Sequence, residues 1–223
     1  KNMAKKETDF GYEKVSPIEK TKRVNEVFSS VTNDYDLMND VMSFGIHRLW
    51  KRFAVNISGI RRDSCVLDLA GGTGDITKLV YKKLGKDGNI TLCDINEDML
   101  NLGRENLINT GIIKGINYIR ANAENLPFRD NSFDFVIAFA SIYMLNFKGV
   151  LNSLREVQRV GKGKSYVTLG AYRTKEEKEL FLEWTLLGTT VLHEDEWLEV
   201  FKETGYTGDY FFTSAKSLHL VRG

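Results

Sequence analysis

The chain has 223 residues, 42% of them hydrophobic, and a formal net charge of +1. That is enough apolar material for one large core, and its apolar runs stop short of the roughly 18 residues a membrane span needs. The near-zero charge gives no field of the kind that draws nucleic acid. Two cysteines and three scattered histidines form no C-x-x-C or other zinc-binding spacing, so no metal is expected.

The charge is uneven. Residues 1–62 carry 12 Lys/Arg against 8 Asp/Glu, and residues 173–204 carry 4 against 9. The basic front end is compatible with contact to an anionic membrane surface or an anionic substrate, and a solvated helical face accounts for it more simply. The charged N-terminal stretch does not read as a signal peptide. Cys65 would open one strand and Cys93 would close the next, which does not set them opposite each other. Reduced thiols are expected, and with them a cytoplasmic protein.

In chain order, residues 1–16 read as a flexible arm. Pro17 precedes a helical stretch with an apolar stripe at Val24, Val27, Phe28 and Val31. A second stripe, Ile46, Leu49, Trp50, Phe53 and Ile57, predicts another helix, ended by Gly59. Residues 17–60 are therefore N-terminal helices. Strands follow at 65–70, 90–94, 117–121, 133–139 and 165–171, with helices at 74–84, 96–110 and 147–160 between them. Such alternation implies an α/β fold with a parallel sheet, right-handed crossovers and helices on both faces. After this core, at 61–171, residues 172–223 supply helices at 174–187 and 194–204. Two short runs near 209–213 and 217–221 are expected to close the sheet as an antiparallel strand pair. The whole chain is read as one domain.

Chemistry concentrates at Val66-Leu67-Asp68-Leu69-Ala70-Gly71-Gly72-Thr73-Gly74-Asp75. This is a strand, a glycine turn and a helix N-terminus, a site built for a polar ligand. A dinucleotide fingerprint would need a third glycine where Thr77 stands, and Asp68 would repel a pyrophosphate. A carboxylate there suits a cationic ligand without phosphate, such as S-adenosylmethionine (SAM). Asp94 follows about twenty residues later, the spacing of a carboxylate that accepts from ribose hydroxyls. Asn122 and Ala123 fall at the next strand end, where they can read an adenine edge.

The run Tyr35-Asp36-Leu37-Met38-Asn39-Asp40-Val41-Met42-Ser43-Phe44-Gly45-Ile46-His47-Arg48-Leu49-Trp50 resembles the N-terminal signature of the ubiquinone/menaquinone biosynthesis C-methyltransferases, the UbiE family. The likeness continues through residues 67–75, Asp94-Ile95-Asn96-Glu97 and Asn122–Phe128, covering roughly residues 8–137. It implies a class I SAM-methyltransferase, Rossmann-like fold with a mostly parallel seven-stranded sheet. It implies SAM as cofactor, held by Asp68, Ala70, Gly71, Gly72, Thr73, Gly74, Asp94, Ile95, Asn122, Ala123 and Phe139. The reaction it implies is C-methylation of a small-molecule acceptor, a polyprenyl benzoquinol or naphthoquinol.

Beyond residue 137 the motifs depart. Phe139 stands where the family has serine, and Arg159-Val160-Gly161-Lys162-Gly163-Lys164 replaces Arg-Val-Leu-Lys-Pro-Gly-Gly. The C-terminal third resembles a different group of small SAM methyltransferases. The acceptor is expected between the N-terminal helices (Tyr35, Met42, Trp50) and the exit of strand 133–139 (Ile142, Tyr143). Tyr143, His193 and Tyr35 are the candidate bases. Three other readings stay open: a methyltransferase of another small acceptor, a non-catalytic SAM-binding regulator, and a nicotinamide oxidoreductase disfavoured by Asp68 and Thr77. The oligomeric state is not legible.

Overall fold

The structure is a computed structural model, and it describes residues 8–10, 13–15, 19, 23, 46–85, 88–185 and 187–220. A two-stranded antiparallel pairing joins β1 (Thr8–Phe10) to β2 (Glu13–Val15), where a featureless arm was expected. The helical stripe at Val24–Val31 lies outside the described residues.

The body is a seven-stranded sheet of β3 (Cys65–Leu69), β4 (Asn89–Asp94), β5 (Ile116–Arg120), β6 (Phe135–Ala138), β7 (Ser165–Tyr172), β8 (Leu192–His193) and β9 (Asp209–Thr213). The order is β5-β4-β3-β6-β7, with β9 on the other edge of β7 and β8 paired to its last two residues. Strands β3, β4, β6 and β7 are buried almost throughout, as strands covered on both faces must be. Alternation assigns their side chains to two layers. Val66, Ile90, Phe135 and Ile137 pack on the side of α1 (Ile46–Ile57) and α2 (Asp75–Leu84). Leu92 packs with Leu100 and Leu107 of α3 (Glu97–Asn109).

Leu67, Leu69, Val136, Ala138, Val167 and Leu169 pack on the other side. There they meet α4 (Phe147–Val160), α5 (Lys175–Trp184) and α6 (Glu194–Thr204). Trp197 fixes α6 to the sheet. Its ring is fully buried and its indole N–H donates to the Gly170 carbonyl at 2.9 Å.

The chain runs β3, β4, β5 towards one edge, then returns with β6 beside β3. The switch point therefore lies between the carboxyl ends of β3 and β6, where open α/β sheets place their ligands. Leu69 pairs with Ala138 at that edge.

One expectation needs correction. The closing strand pair is not antiparallel: β9 runs parallel to β7, with Tyr166 opposite Asp209 and Gly170 opposite Thr213. Helix α6 ends at Gly205 in the left-handed region, and β9 then starts beside the start of β7. Entering at that edge, it can only run the same way as β7. Residues 217–220 form a turn, closed by reciprocal bonds between Ser214 and Ser217.

Helix α1 forms over the residues its stripe predicts, and three of that stripe, Leu49, Phe53 and Ile57, are exposed by 64, 54 and 60%. Ala54 and Val55 are buried instead, because α1 docks flat on α2. Lys83 of α2 caps its last turn through the Val55 and Asn56 carbonyls, and Lys51 meets Asp75 at 2.8 Å.

Candidate active site

Strand β3 delivers Asp68 to the carboxyl edge of the sheet, 1% exposed. The chain then turns through Ala70 (φ 54°), Gly72 (φ 47°) and Gly74 (φ 82°) into α2. Glycine is required here on two counts. Positive φ strains any side chain, and a Cβ on Gly71 would lie 2.7 Å from the Asp68 carboxylate. Gly103 of α3 also matters: a Cβ there would collide with the Gly72 carbonyl, so a mid-helix glycine lets α3 lie against the turn. Sequence reading missed it, although an isolated glycine inside a helical pattern is the usual mark of close backbone approach.

Thr77 explains the absent third glycine of the dinucleotide pattern. Its hydroxyl donates to Asp68 Oδ2 at 2.6 Å from the first turn of α2. A glycine would leave that buried carboxylate without its closest partner. Burial is the main cause that pushes the Asp68 carboxyl up to about 6, opposed by the Thr77 bonds and the Lys51 charge.

Asp94 closes β4 and organises the turn from the other side. Its Oδ2 accepts from Gly72 N–H at 3.0 Å and its Oδ1 from Asn96 N–H at 2.9 Å. Burial raises its pKa, countered by these N–H bonds. A carboxylate offers about four lone-pair sites, and the Ile95 N–H also interacts with it, so at least one remains for a ligand. Asn96 caps α3, accepting from Asp98 and Met99 N–H, and Ile95 presents an exposed apolar face beside Asp94.

The loop after β5 holds Asn122 in a tight turn, its side chain accepting from Glu124 N–H at 3.0 Å. Arg159 of α4 locks this loop by donating to the Leu126 and Phe128 carbonyls, Asp130 and Glu156. Opposite the glycine turn, β6 leaves through Phe139 and Ala140, the latter also left-handed (φ 52°). Ala140 N–H donates to the Thr168 hydroxyl on β7. Asp68, the glycine turn, Asp94, Asn122 and Phe139 thus share one edge of the sheet.

Other predicted residues fall elsewhere. Tyr143 is buried, its ring edge-on to Phe181, and Ile142 is buried beside it. His193 lies on β8, outside β7. Its Nδ1 accepts from Asp195 N–H at the start of α6, and its Nε2 sits 3.2 Å from the Arg173 carbonyl. Tyr35 and Met42 lie outside the described residues, as does the side chain of Trp50. A separate cavity of about 260 Å³ opens at the amino edge of the sheet. Two of its basic groups, Lys162 and Arg61, are paired with Asp134 and Asp63.

Residues 17–178 match the family model described as the ubiE/COQ5 methyltransferase family. The chain belongs to the ubiE/COQ5 methyltransferase family. The match runs some forty residues past the point where the motifs depart. Relatives include the ubiquinone/menaquinone biosynthesis C-methyltransferase UbiE of Hydrogenovibrio crunogenus, 51% identical over 161 residues, 72% of this chain and 63% of that protein. The UbiE of Erwinia tasmaniensis is 51% identical over 159 residues, 71% of this chain and 63% of that one. The chain thus spans less than two thirds of the curated relatives it matches.

Among solved structures, a Haloferax volcanii methyltransferase in complex with the Trm112 activator has a TM-score of 0.63 at 18% identity, covering 81% of this chain and 75% of its own. The [4+2]-cyclase SpnF has a TM-score of 0.65 at 17% identity, covering 82% and 70%. A SAM-dependent methyltransferase of Aquifex aeolicus has 0.54 at 21%, covering 70% and 78%. These establish for the ubiE/COQ5 member the fold of class I SAM methyltransferases.

The raised Asp68 pKa has a measurable consequence. Below the unfolded value near 3.8 the folded carboxyl is neutral and costs nothing. As pH rises to about 6 the unfolded chain ionises first, so stability falls by about 3 kcal/mol across that window. Urea unfolding between pH 4 and 7 should show this decline in the wild type and lose most of it in Asp68→Asn. Equal pH profiles would mean that Asp68 ionises freely.

Proposed function

We propose that the chain is a SAM-dependent C-methyltransferase acting on a polyprenyl benzoquinol or naphthoquinol, in ubiquinone or menaquinone biosynthesis. The observation that carries the reading is Asp68 and Asp94 set on either side of a glycine turn that admits no Cβ at Gly71, in a chain 51% identical to a UbiE protein over 161 residues. The donor set fits SAM. Among the described residues Lys51 is the cation that acts on the buried Asp68 carboxylate, and an ammonium or sulfonium would stabilise its charged form further. The strand-end carboxylate of Asp94 fits a ribose diol. Ile95 and Phe139 supply apolar walls for a flat base, and Asn122 and Ala123 lie at the next strand end to meet its edge.

SAM supplies the electrophilic methyl group. The protein's part is to hold the acceptor carbon in line with it, which is most of the catalysis in such a displacement. Ionising Asp68 for a cationic ligand places the charge at the turn without adding a metal. Tyr143 is the nearer of the two described candidate bases to the β6 exit. His193 is engaged at both ring nitrogens, so a proton role there requires breaking its cap.

Replacing Asp94 with alanine removes the charged acceptor of two hydroxyls, about 1.5–3 kcal/mol. Calorimetry should show SAM affinity at least about tenfold weaker. Unchanged affinity would remove Asp94 from the site.

The acceptor is tested by methyl transfer from SAM to a short-chain demethylated quinol, with a UbiE relative as control. The expected rate lies within about a hundredfold of the control, a barrier difference under roughly 3 kcal/mol. SAM binding without product would favour the second reading, another small acceptor. That reading gains from the family match ending at residue 178, which leaves α6 and β9 outside it.

A polyprenyl acceptor resides in lipid, so the enzyme must reach a bilayer. No helix among the described residues is long and apolar enough to cross one. Helix α1 offers a surface contact instead. Leu49, Phe53 and Ile57 are exposed on one stripe, and the helix sequence carries His47, Arg48 and Arg52 besides the Asp75-paired Lys51, with no acidic residue. That composition suits an anionic interface. The protein should co-sediment with vesicles containing anionic lipid, and Leu49→Glu/Phe53→Glu should remain in the supernatant. Equal partitioning of both would discard the contact.

A further inference from the structure

Two side-chain oxygens among the described residues are buried without a hydrogen-bond partner, the hydroxyls of Ser141 and Ser153. Ser153 is wholly buried in the middle of α4, inside the packed layer against the sheet. Ser141 is placed differently. It stands three residues beyond the end of β6, in the segment that leaves the carboxyl end of that strand at the switch point. The residue as a whole is only partly buried, yet its hydroxyl is turned inward and unpaired.

A buried hydroxyl without a partner destabilises the fold, and each such group calls for an explanation. Here the cost stands next to a second one. Ala140 is held in the left-handed region, fixed by its N–H bond to Thr168 on β7. On the far side, the Ser141 carbonyl accepts from Met144 N–H at 3.0 Å, and Ile142 and Tyr143 are locked in the core. The backbone of Ser141 is thus fixed from both directions while its side chain is committed to nothing. Consecutive local costs at the mouth of a ligand crevice are the mark of a pre-organised site. A hydroxyl both donates and accepts, and one with no existing bond gives up nothing by rotating outward.

We propose that Ser141 anchors the methyl acceptor: its Oγ rotates into the crevice and hydrogen-bonds a ring oxygen of the quinol, fixing the ring's rotation relative to the methyl donor. The assignment rests on the quinol reading above. It makes Ser141 a residue that distinguishes an oxygenated ring from the same ring without that oxygen, since a site that pairs a substrate hydroxyl rejects the analogue lacking it.

The test compares wild type with Ser141→Ala on three readouts: melting temperature, SAM affinity by calorimetry, and binding of two ring compounds by tryptophan fluorescence. One compound is a short-chain demethylated hydroquinone. The other is its analogue with hydrogen in place of the ring oxygen next to the methylated carbon. The variant should melt no lower than wild type, because it loses no hydrogen bond, and should bind SAM within twofold of it. Its affinity for the hydroquinone should fall ten- to a hundredfold, with its affinity for the analogue unchanged. A lowered melting temperature, an equal loss for both compounds, or no loss for either overturns the role of Ser141 while leaving the quinol reading intact. Wild type that binds SAM but not the hydroquinone overturns the quinol reading, and the anchor with it.

Discussion

Asp68 sits 1% exposed near the middle of a parallel sheet, and much of the site is arranged around that one carboxylate. A charge so placed cannot stand alone: it must be neutralised, hydrogen-bonded or offset by a counter-charge. The protein uses a little of each. Thr77 donates to it from the first turn of α2, the carboxyl is biased towards its neutral form, and Lys51 contributes from α1. Because Thr77 must stand at that place, α2 must begin close to the end of β3, and the connection has to be a tight turn. The tight turn needs Gly72 and Gly74 at positive φ, and it leaves no room for a Cβ on Gly71. Gly103 on α3 follows from the same geometry, since α3 presses directly on the Gly72 carbonyl.

Most of this was legible in the sequence, for physical reasons. The inner strands are buried on both faces, so they appear as short apolar runs, and the helices between them keep a 3.6-residue period. The boundaries of α4 and α6 fall where the caps say they should: Asn146 bonds Gly149 N–H, and His193 forms a reciprocal box with Glu196. The direction of β9 was not legible. Residues 209–213 and 217–220 have the composition of two strands, and Leu218 and Leu220 do pack partly against the core. What decides their path is the edge at which α6 ends and the Ser214–Ser217 turn, neither of which appears in a hydrophobic pattern. The docking of α1 was not legible for a related reason. Periodicity locates an apolar face, but docking is decided by what else can bond, here Lys51 with Asp75 and Lys83 with the helix end.

The site divides in the same way. Residues tied to backbone conformation, the glycines and the strand-end carboxylates, announce themselves because few residue types can occupy those positions. Residues whose role depends on neighbours distant in sequence do not. Thr77 looked like a defect in a dinucleotide motif until its bond to Asp68 was visible. Arg159 entered only as the first residue of a run that departs from the family's motif, and it proves to be the clamp that holds the loop bearing Asn122. His193 illustrates the converse. A histidine near the end of a strand is chemically suggestive, yet its ring serves as a helix cap.

Fold alone leaves the chemistry open, and the structural neighbours make that concrete. A [4+2]-cyclase shares this architecture at a TM-score of 0.65, as does a methyltransferase bound to an activator at 0.63. The sheet provides a crevice between two strand ends, and what happens there depends on the side chains that line it. On the β3 side those side chains hold a charge in place and leave little freedom. On the β6 side the pattern is reversed: Phe139 stands in place of the family's serine, Ala140 is strained, and Ser141 is unpaired. The β3 half of the crevice is therefore fixed by the need to bury Asp68, whereas the β6 half is under no such constraint. Divergence between this chain and its relatives would be expected to collect there.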